Sequence, residues 1–359
     1  MALLPEISVY FRTQAQTIVQ RSERGNVLLI IRDSGYETIG NKKYTSLAEF
    51  LADESDYDDD NAQAIKDALT YDPFVLYVCA INTTDALSVA LAKIPSIVKT
   101  AWVTVADITT TDSTALASWV ATQEAAGKSY KAVVYNKAAD CKHVVNLVNT
   151  ALEYEDGRED ATAASYTPSL AAILAVCNIK RGPTNYLCKN LASVTEPSDV
   201  EAAVEAGGLV LINDEDGNVR IAEGVNSLTT LGTGEGEEMK LIEVIEAIDL
   251  IQEDIAYNFR TNFVGQYRNT RSTQYKFISD VNNYFDNLVQ MGVLAEDGDN
   301  ISTIDVVLQR AAWEADGVDT TDWSDDAVKN HPYKRTMFLT GSVKLLQSIE
   351  SLKFGITLS

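Results

Sequence analysis

The chain has 359 residues, with 29 Lys and Arg against 52 Asp and Glu, for a formal charge of −23. A surface so acidic disfavours nucleic acid and anionic membrane as partners, since either would need local basic patches. The 46% hydrophobic content is enough for a sizeable core, and the length suggests about two domains.

The first twelve residues, MALLPEISVYFR, lack the basic start and apolar stretch of a secretory signal, which predicts synthesis in the cytoplasm. Within them Ile7, Val9 and Phe11 alternate with Glu6, Ser8, Tyr10 and Arg12, the period of a strand. Asn26 to Arg32 (NVLLIIR) is a continuous apolar run, as found in a strand buried on both faces. Similar runs follow at Phe74 to Ile81, Ala101 to Ala106 and Lys131 to Tyr135, with helical stretches at Asn61 to Thr70, Thr84 to Lys93 and Thr114 to Ala126. This alternation predicts an α/β layer over roughly Gly25 to Asn213. Leu170 to Cys177, the longest apolar run, is far shorter than the ~18 residues of a membrane helix. Cys79, Cys141, Cys177 and Cys188 form no CxxC pair and read as reduced, mostly buried thiols.

A hairpin is expected where Gly208 to Ile212 and Asn218 to Ala222 flank the turn residues Asn213 to Gly217. A helix follows with Leu241, Ile245, Ile248, Ile251, Ile255 and Phe259 on one face, and with Glu243, Glu246, Asp249 and Glu253 expected in water. A second helix carries Tyr275, Ile278, Val281, Phe285, Leu288 and Met291 and stops at Gly292. The chain closes on a second alternating run, in which Leu352, Phe354, Ile356 and Leu358 are interleaved with Lys353, Gly355, Thr357 and Ser359. A lone strand at a chain end leaves its backbone to water, so both tails are expected to have strand partners.

Little points to catalysis. Gly232-Thr233-Gly234-Glu235-Gly236 superficially matches a dinucleotide-binding turn, but Glu237 stands where the third glycine belongs, and three glutamates would repel a pyrophosphate. A connector whose carboxylates favour the following helix N-terminus explains the same residues. Asp56, Asp58 and Asp60 have the first spacings of a calcium loop, but Asn61 and Asp67 occupy the positions of its glycine and its bidentate glutamate. A solvated loop capping the next helix is the simpler account. His143 and His331 are the only histidines, too few for a zinc set, and both read as surface or helix-end residues. No catalytic residue, metal ligand or cofactor is assigned. A soluble α/β nucleotide-binding enzyme using the Gly232 to Gly236 loop is the alternative carried forward.

Three segments together resemble contractile tail sheath proteins of bacteriophages and phage-tail-like bacteriocins. These are Gln20 to Asp33 (QRSERGNVLLIIRD), Val219 to Thr229 (VRIAEGVNSLT, with a GxNSLT element) and Ile242 to Asn269 (a long helix ending in FxGxxxN). The alternating tail Leu352 to Leu358 lies where that family carries an exchanged strand. The resemblance covers residues 1–33 and 209–359 and implies a compact, multi-domain, sheath-type α/β and α+β fold with extended terminal β-strand arms. The expected division is an N-terminal arm at 1–24, an α/β outer region at 25–208, an α+β inner core at 209–349 and a C-terminal arm at 350–359.

The implied function is structural. Subunits form a helical homo-oligomer around an inner tail tube protein, meet baseplate and tail terminator proteins, and contract to drive the tube through a target envelope. No nucleic acid or membrane partner is implied. The particle would be built in a bacterial cytoplasm and released by lysis. Ile7, Val9, Phe11, Leu352, Phe354, Ile356 and Leu358 would form the inter-subunit arms, because strand addition supplies directional backbone hydrogen bonds. Charge segregation suggests the tube-facing residues. Asp254 and Asp280 bracket Arg260, Arg268, Arg271 and Lys276 with no acid between them, and Asp326 and Glu350 likewise bracket Lys329, Lys334, Arg335 and Lys344. These bases form a cradle for an acidic tube, or they neutralise the acidic helix Leu241 to Asp254.

Overall fold

The computed structural model describes residues 25–158, 161–177, 181–350 and 353–354. After β1 (Asn26–Arg32) come α1 (Tyr36–Ile39), β2 (Asn41–Tyr44), α2 (Leu47–Leu51), α3 (Asp59–Leu69) and β3 (Val75–Ile81). They are followed by α4 (Ser88–Ile97), β4 (Trp102–Val105), α5 (Thr110–Ala125), β5 (Lys131–Tyr135) and β6 (Val144–Leu147). Strands β7 (Ala151–Tyr154) and β8 (Ala161–Thr162), helix α6 (Thr167–Val176) and β9 (Leu191–Val194) precede α7 (Val200–Glu205), β10 (Gly208–Leu209), β11 (Leu211–Asn213) and β12 (Val219–Ile221).

The main sheet has the order β10-β6-β5-β4-β1-β3-β2, parallel except that β2 runs antiparallel to β3. Strand β1 is apolar from Val27 to Ile31 because both its faces are covered. Val27, Leu29 and Ile31 enter one core with Ile65 of α3 and Leu170 of α6; Leu28 and Ile30 enter the other with Leu91 and Ile94 of α4 and Leu116 of α5. The apolar run at Leu170 is the buried helix α6, nearly every residue of which is out of solvent. All four cysteines are free and buried.

One sequence reading changes here. The expected strand Gly208 to Ile212 is split: Gly208 and Leu209 join β6 in the main sheet, whereas Leu211–Asn213 pairs antiparallel with β12. By spatial grouping, the described residues of 25–250, 291–296 and 345–354 form one unit and those of 251–290 and 297–344 another. This grouping divides the chain inside a helix. Strand β10 is an edge strand of the parallel sheet, and Ser227, only 2% exposed, donates its N–H to Val144 O at 2.8 Å.

The second unit begins within α8 (Ile242–Asn262) and continues with α9 (Arg271–Gln290), β13 (Ile301–Ile304), α10 (Val306–Ala315), α11 (Asp325–Asn330) and β14 (Leu339–Ser342). Phe277 meets Phe259 and Phe263 edge-on, with centroids 5.3 and 4.8 Å apart, joining α9 to the end of α8. Helix α9 buries Phe277, Ile278, Val281, Phe285 and Leu288, but Tyr275, expected on that face, is exposed. Gly292 has a φ of +70°, the left-handed stop read from the sequence. Strands β13 and β14 form a two-stranded antiparallel ribbon from Ile301↔Ser342 to Ile304↔Leu339. Of the expected arm residues, Ile7, Val9, Phe11, Leu352, Ile356 and Leu358 lie outside the described residues; Phe354 is exposed and in no strand.

Candidate functional site

The first unit holds a buried ionic network under the first turns of α8. Lys131 of β5 places Nζ 3.0 Å from Glu246 Oε1 and 2.9 Å from Asp249 Oδ2. His143, just before β6, contacts Glu124 Oε2 through Nδ1 at 2.9 Å and Asp249 Oδ1 through Nε2 at 3.1 Å. Carboxylates flank both ring nitrogens, so the imidazole donates twice and is cationic. Burial opposes that charge, but Asp249 and Glu124 outweigh it and raise the His143 pKa. Glu124 in turn is held down at about 2, chiefly by His143. Burial acts to raise Asp249, but Lys131 and His143 overcome it and leave its carboxyl well below the usual range. Lys142 extends the network to Glu124 and Glu235, each at 3.4 Å.

This overturns two expectations. Glu246 and Asp249 are not in water but 7% and 4% exposed, and His143 is 5% exposed instead of lying at the surface. The first half of α8 is covered on more than one side, and a buried carboxylate persists only when matched by a cation. The GxNSLT element closes the same region. Asn226 Nδ2 donates to Met239 O at 2.8 Å, Ser227 Oγ donates to Cys141 O at 3.0 Å, and Asp140 Oδ1 accepts from Thr229 N and Thr230 N, both at 2.8 Å. Those two amides hold the Asp140 pKa down to about 2. Sequence reasoning missed Lys131, Glu124, Glu246 and Asp249 as partners. The only signals were a lysine opening an otherwise apolar strand and two acids three apart on a helix.

The loops considered for ligands are occupied by their own side chains. Gly232 N donates to Glu235 Oε2 at 2.8 Å, so the amide a phosphate would use is already bonded within the loop. In an open α/β sheet ligands gather at the carboxyl ends of strands flanking the reversal of order, here β1 and β4. At that point the Arg32 guanidinium lies fork-to-fork on Asp112 at 3.1 and 2.7 Å. In the acidic loop Asp53 pairs with Lys42 and Glu54 with Lys66, both at 2.9 Å. Asp58 stands at the N-terminus of α3, but its carboxylate accepts from Ser34 N and Oγ instead of capping the helix. Among the described residues no three His, Cys, Asp or Glu side chains are arranged to hold a metal ion.

The second unit carries the basic residues. Arg260, Arg268, Arg271, Lys276, Lys334 and Arg335 are exposed and Lys329 is half-buried. Lys334 pairs with Asp316, Arg271 bonds Asn330, and Lys276 Nζ lies 2.6 Å from Tyr267 Oη. Arg260, Arg268 and Arg335 make no ion pair among the described residues, whereas the buried acids of α8, Glu246 and Asp249, are matched by Lys131 and His143. Between α8 and α9 lies a groove of about 380 Å³, lined by the carboxamides of Asn258, Asn262, Asn283 and Asn287 and by Asp280 and Tyr284.

Comparison with known proteins agrees with this architecture. Residues 235–358 match the family model of the phage tail sheath C-terminal domain. A tail sheath protein of Clostridium phage phiCD119 is 24% identical over 99% of both chains. The sheath tail protein of Desulfitobacterium hafniense superposes with a TM-score of 0.66 at 15% identity, covering 84% of this chain and 94% of that one. The helical sheath of the anti-feeding prophage in its contracted state superposes with a TM-score of 0.68 at 14% identity over 99% of each chain. The fold class is therefore that of a contractile sheath protein. This chain shares that fold over nearly its whole length, and the resemblance read from the sequence holds.

Proposed function

We propose that the protein is a structural subunit of a contractile tail sheath, polymerising around an inner tube and shortening to drive that tube through a target cell envelope. The observation that carries this is the end-to-end likeness to a sheath protein solved in its contracted state, together with the sheath C-terminal domain match over residues 235–358. Energy for the stroke would reside in subunit packing, so no nucleotide site is required. Copies of the chain are its first partner, with the inner tube protein, the baseplate and the tail terminator beyond them. Synthesis in a bacterial cytoplasm and release of the particle by lysis complete the reading.

Two surfaces serve it. The ribbon of β13 and β14 supports the strand-arm reading: among the described residues neither outer edge is covered by a further strand, and Ile301 is 52% exposed. An open edge of this kind accepts an added strand. The arms of neighbouring subunits, with Ile7, Val9, Phe11, Leu352, Phe354, Ile356 and Leu358, would be the strands added. Arg260, Arg268, Arg271, Lys276, Lys329, Lys334 and Arg335 would face the tube, a reading supported by the exposure of most of them and by the absence of ion pairs at Arg260, Arg268 and Arg335 among the described residues.

Electron microscopy of the purified protein, alone and coexpressed with its neighbouring tube gene product, tests the proposal. Tubes or ring stacks are expected. A small particle that never polymerises and binds a nucleotide would refute it.

A further inference from the structure

The run Leu345–Glu350 has no regular secondary structure beyond a single bridge at Leu345, yet it is held against the first unit. Leu345 bridges Leu294, and Leu346 N donates to Val293 O at 2.9 Å. Ser348 N donates to Glu243 Oε1 at 2.9 Å while its hydroxyl donates to Glu243 Oε2, and Thr184 Oγ1 donates to Glu350 Oε1 at 2.8 Å. Apolar burial does little of the holding, since Leu346 is 51% and Ile349 95% exposed. What fixes this strap is mainly hydrogen bonding, and the strongest part is the two-pronged contact to an ionised carboxylate.

Gly182 makes room for that contact. A Cβ built there would stand 2.4 Å from Glu243 Oε2 and 3.0 Å from Ser348 Oγ. Glu243 is half-buried in the first turn of α8, in the face that the sequence pattern assigns to water. A carboxylate, a glycine and a serine from three separate segments thus meet at one point. Farther along the chain, Phe354 is 77% exposed.

We propose that Glu243, Gly182 and Ser348 form a clamp fixing the point and direction at which the C-terminal tail leaves this unit, so that Glu243 is a positioning residue for assembly. The inference rests on the reading of the residues after Glu350 as an arm that pairs with a neighbour. Strand addition requires the arm to arrive in register and orientation, and a root held in one direction removes much of the orientational search.

Three full-length variants test it: Gly182→Ala, which pushes the carboxylate aside without changing charge, Glu243→Ala, and the two combined. Amide exchange at Ser348 should accelerate about tenfold or more in each, as expected when a charge-assisted hydrogen bond is lost. The protein concentration at which tubes begin to form should rise several-fold, with the monomer melting temperature unchanged within about 2 °C. If Gly182→Ala acted only by overpacking, the double variant would regain wild-type assembly; under the clamp it stays impaired. Unchanged Ser348 exchange in Glu243→Ala, or faster exchange with wild-type assembly, overturns the clamp. A protein truncated after Glu350 separates this outcome from failure of the arm reading. If the truncated protein assembles normally, arm and clamp both fall; if it does not while Glu243→Ala does, only the clamp falls.

Discussion

Lys131→Met tests the network beneath α8 most directly. Lys131 is 4% exposed and lies about 3 Å from carboxylate oxygens of both Glu246 and Asp249, so methionine fills much of the space but leaves two buried anions with His143 as the remaining nearby cation. Removing one partner of a buried pair costs ~3–5 kcal/mol, because the other charge stays out of water uncompensated. For a unit of this size, each kcal/mol lowers the melting temperature by ~2–4 °C, giving a fall of roughly 6–20 °C for the unpolymerised monomer at pH 7. Circular dichroism melts measure it. The double variant Lys131→Met, Glu246→Leu, which leaves Asp249 matched by His143, should recover part of the loss, since a buried pair replaced whole by apolar residues is often neutral. A Lys131→Met monomer melting within about 2 °C of wild type would show that these carboxylates are not matched by this lysine in the folded protein.

His143 adds a pH signature. Its folded pKa is raised, so its contribution is complete below the unfolded value of ~6.5 and is lost as pH rises through the raised folded value. The melting-temperature gap between wild type and His143→Gln should therefore be widest near pH 6 and narrow toward alkaline pH; a gap that stays constant from pH 6 to pH 10 contradicts a cationic imidazole. Asp140 has a φ of +47°, which asparagine tolerates better than alanine, so Asp140→Ala should destabilise by about 1 kcal/mol and Asp140→Asn by less, read from denaturant midpoints. Charge reversal at Arg268 and Arg271 should weaken tube cosedimentation in a salt-dependent way while leaving the monomer folded, and equal binding in low and high salt would count against a tube-facing role. Deletion of Leu352 to Ser359 should preserve the monomer spectrum and abolish ordered tubes; a melting temperature lower by several degrees would mean the tail closes the chain's own sheet.

Local pattern alone was enough to place the parallel layer. The runs at Asn26, Phe74, Ala101 and Lys131 became β1, β3, β4 and β5 because a strand covered on both faces is apolar at most positions, a requirement visible without any partner. The period of α9 and its glycine stop were legible for the same reason. The likeness to the sheath-type fold could also be read in advance, from the GxNSLT element and the long helix that follows it. Pattern could not say how many sides of a helix are covered. Glu243, Glu246 and Asp249 look like a solvated face in one dimension, and they are buried or clamped only because Lys131, His143 and Ser348 arrive from segments distant in sequence. Whether a charge faces water or a counter-charge depends on which segments the tertiary fold brings together, so the ionic network and the strap clamp belong to the structure, and the strands and helices that carry them to the sequence.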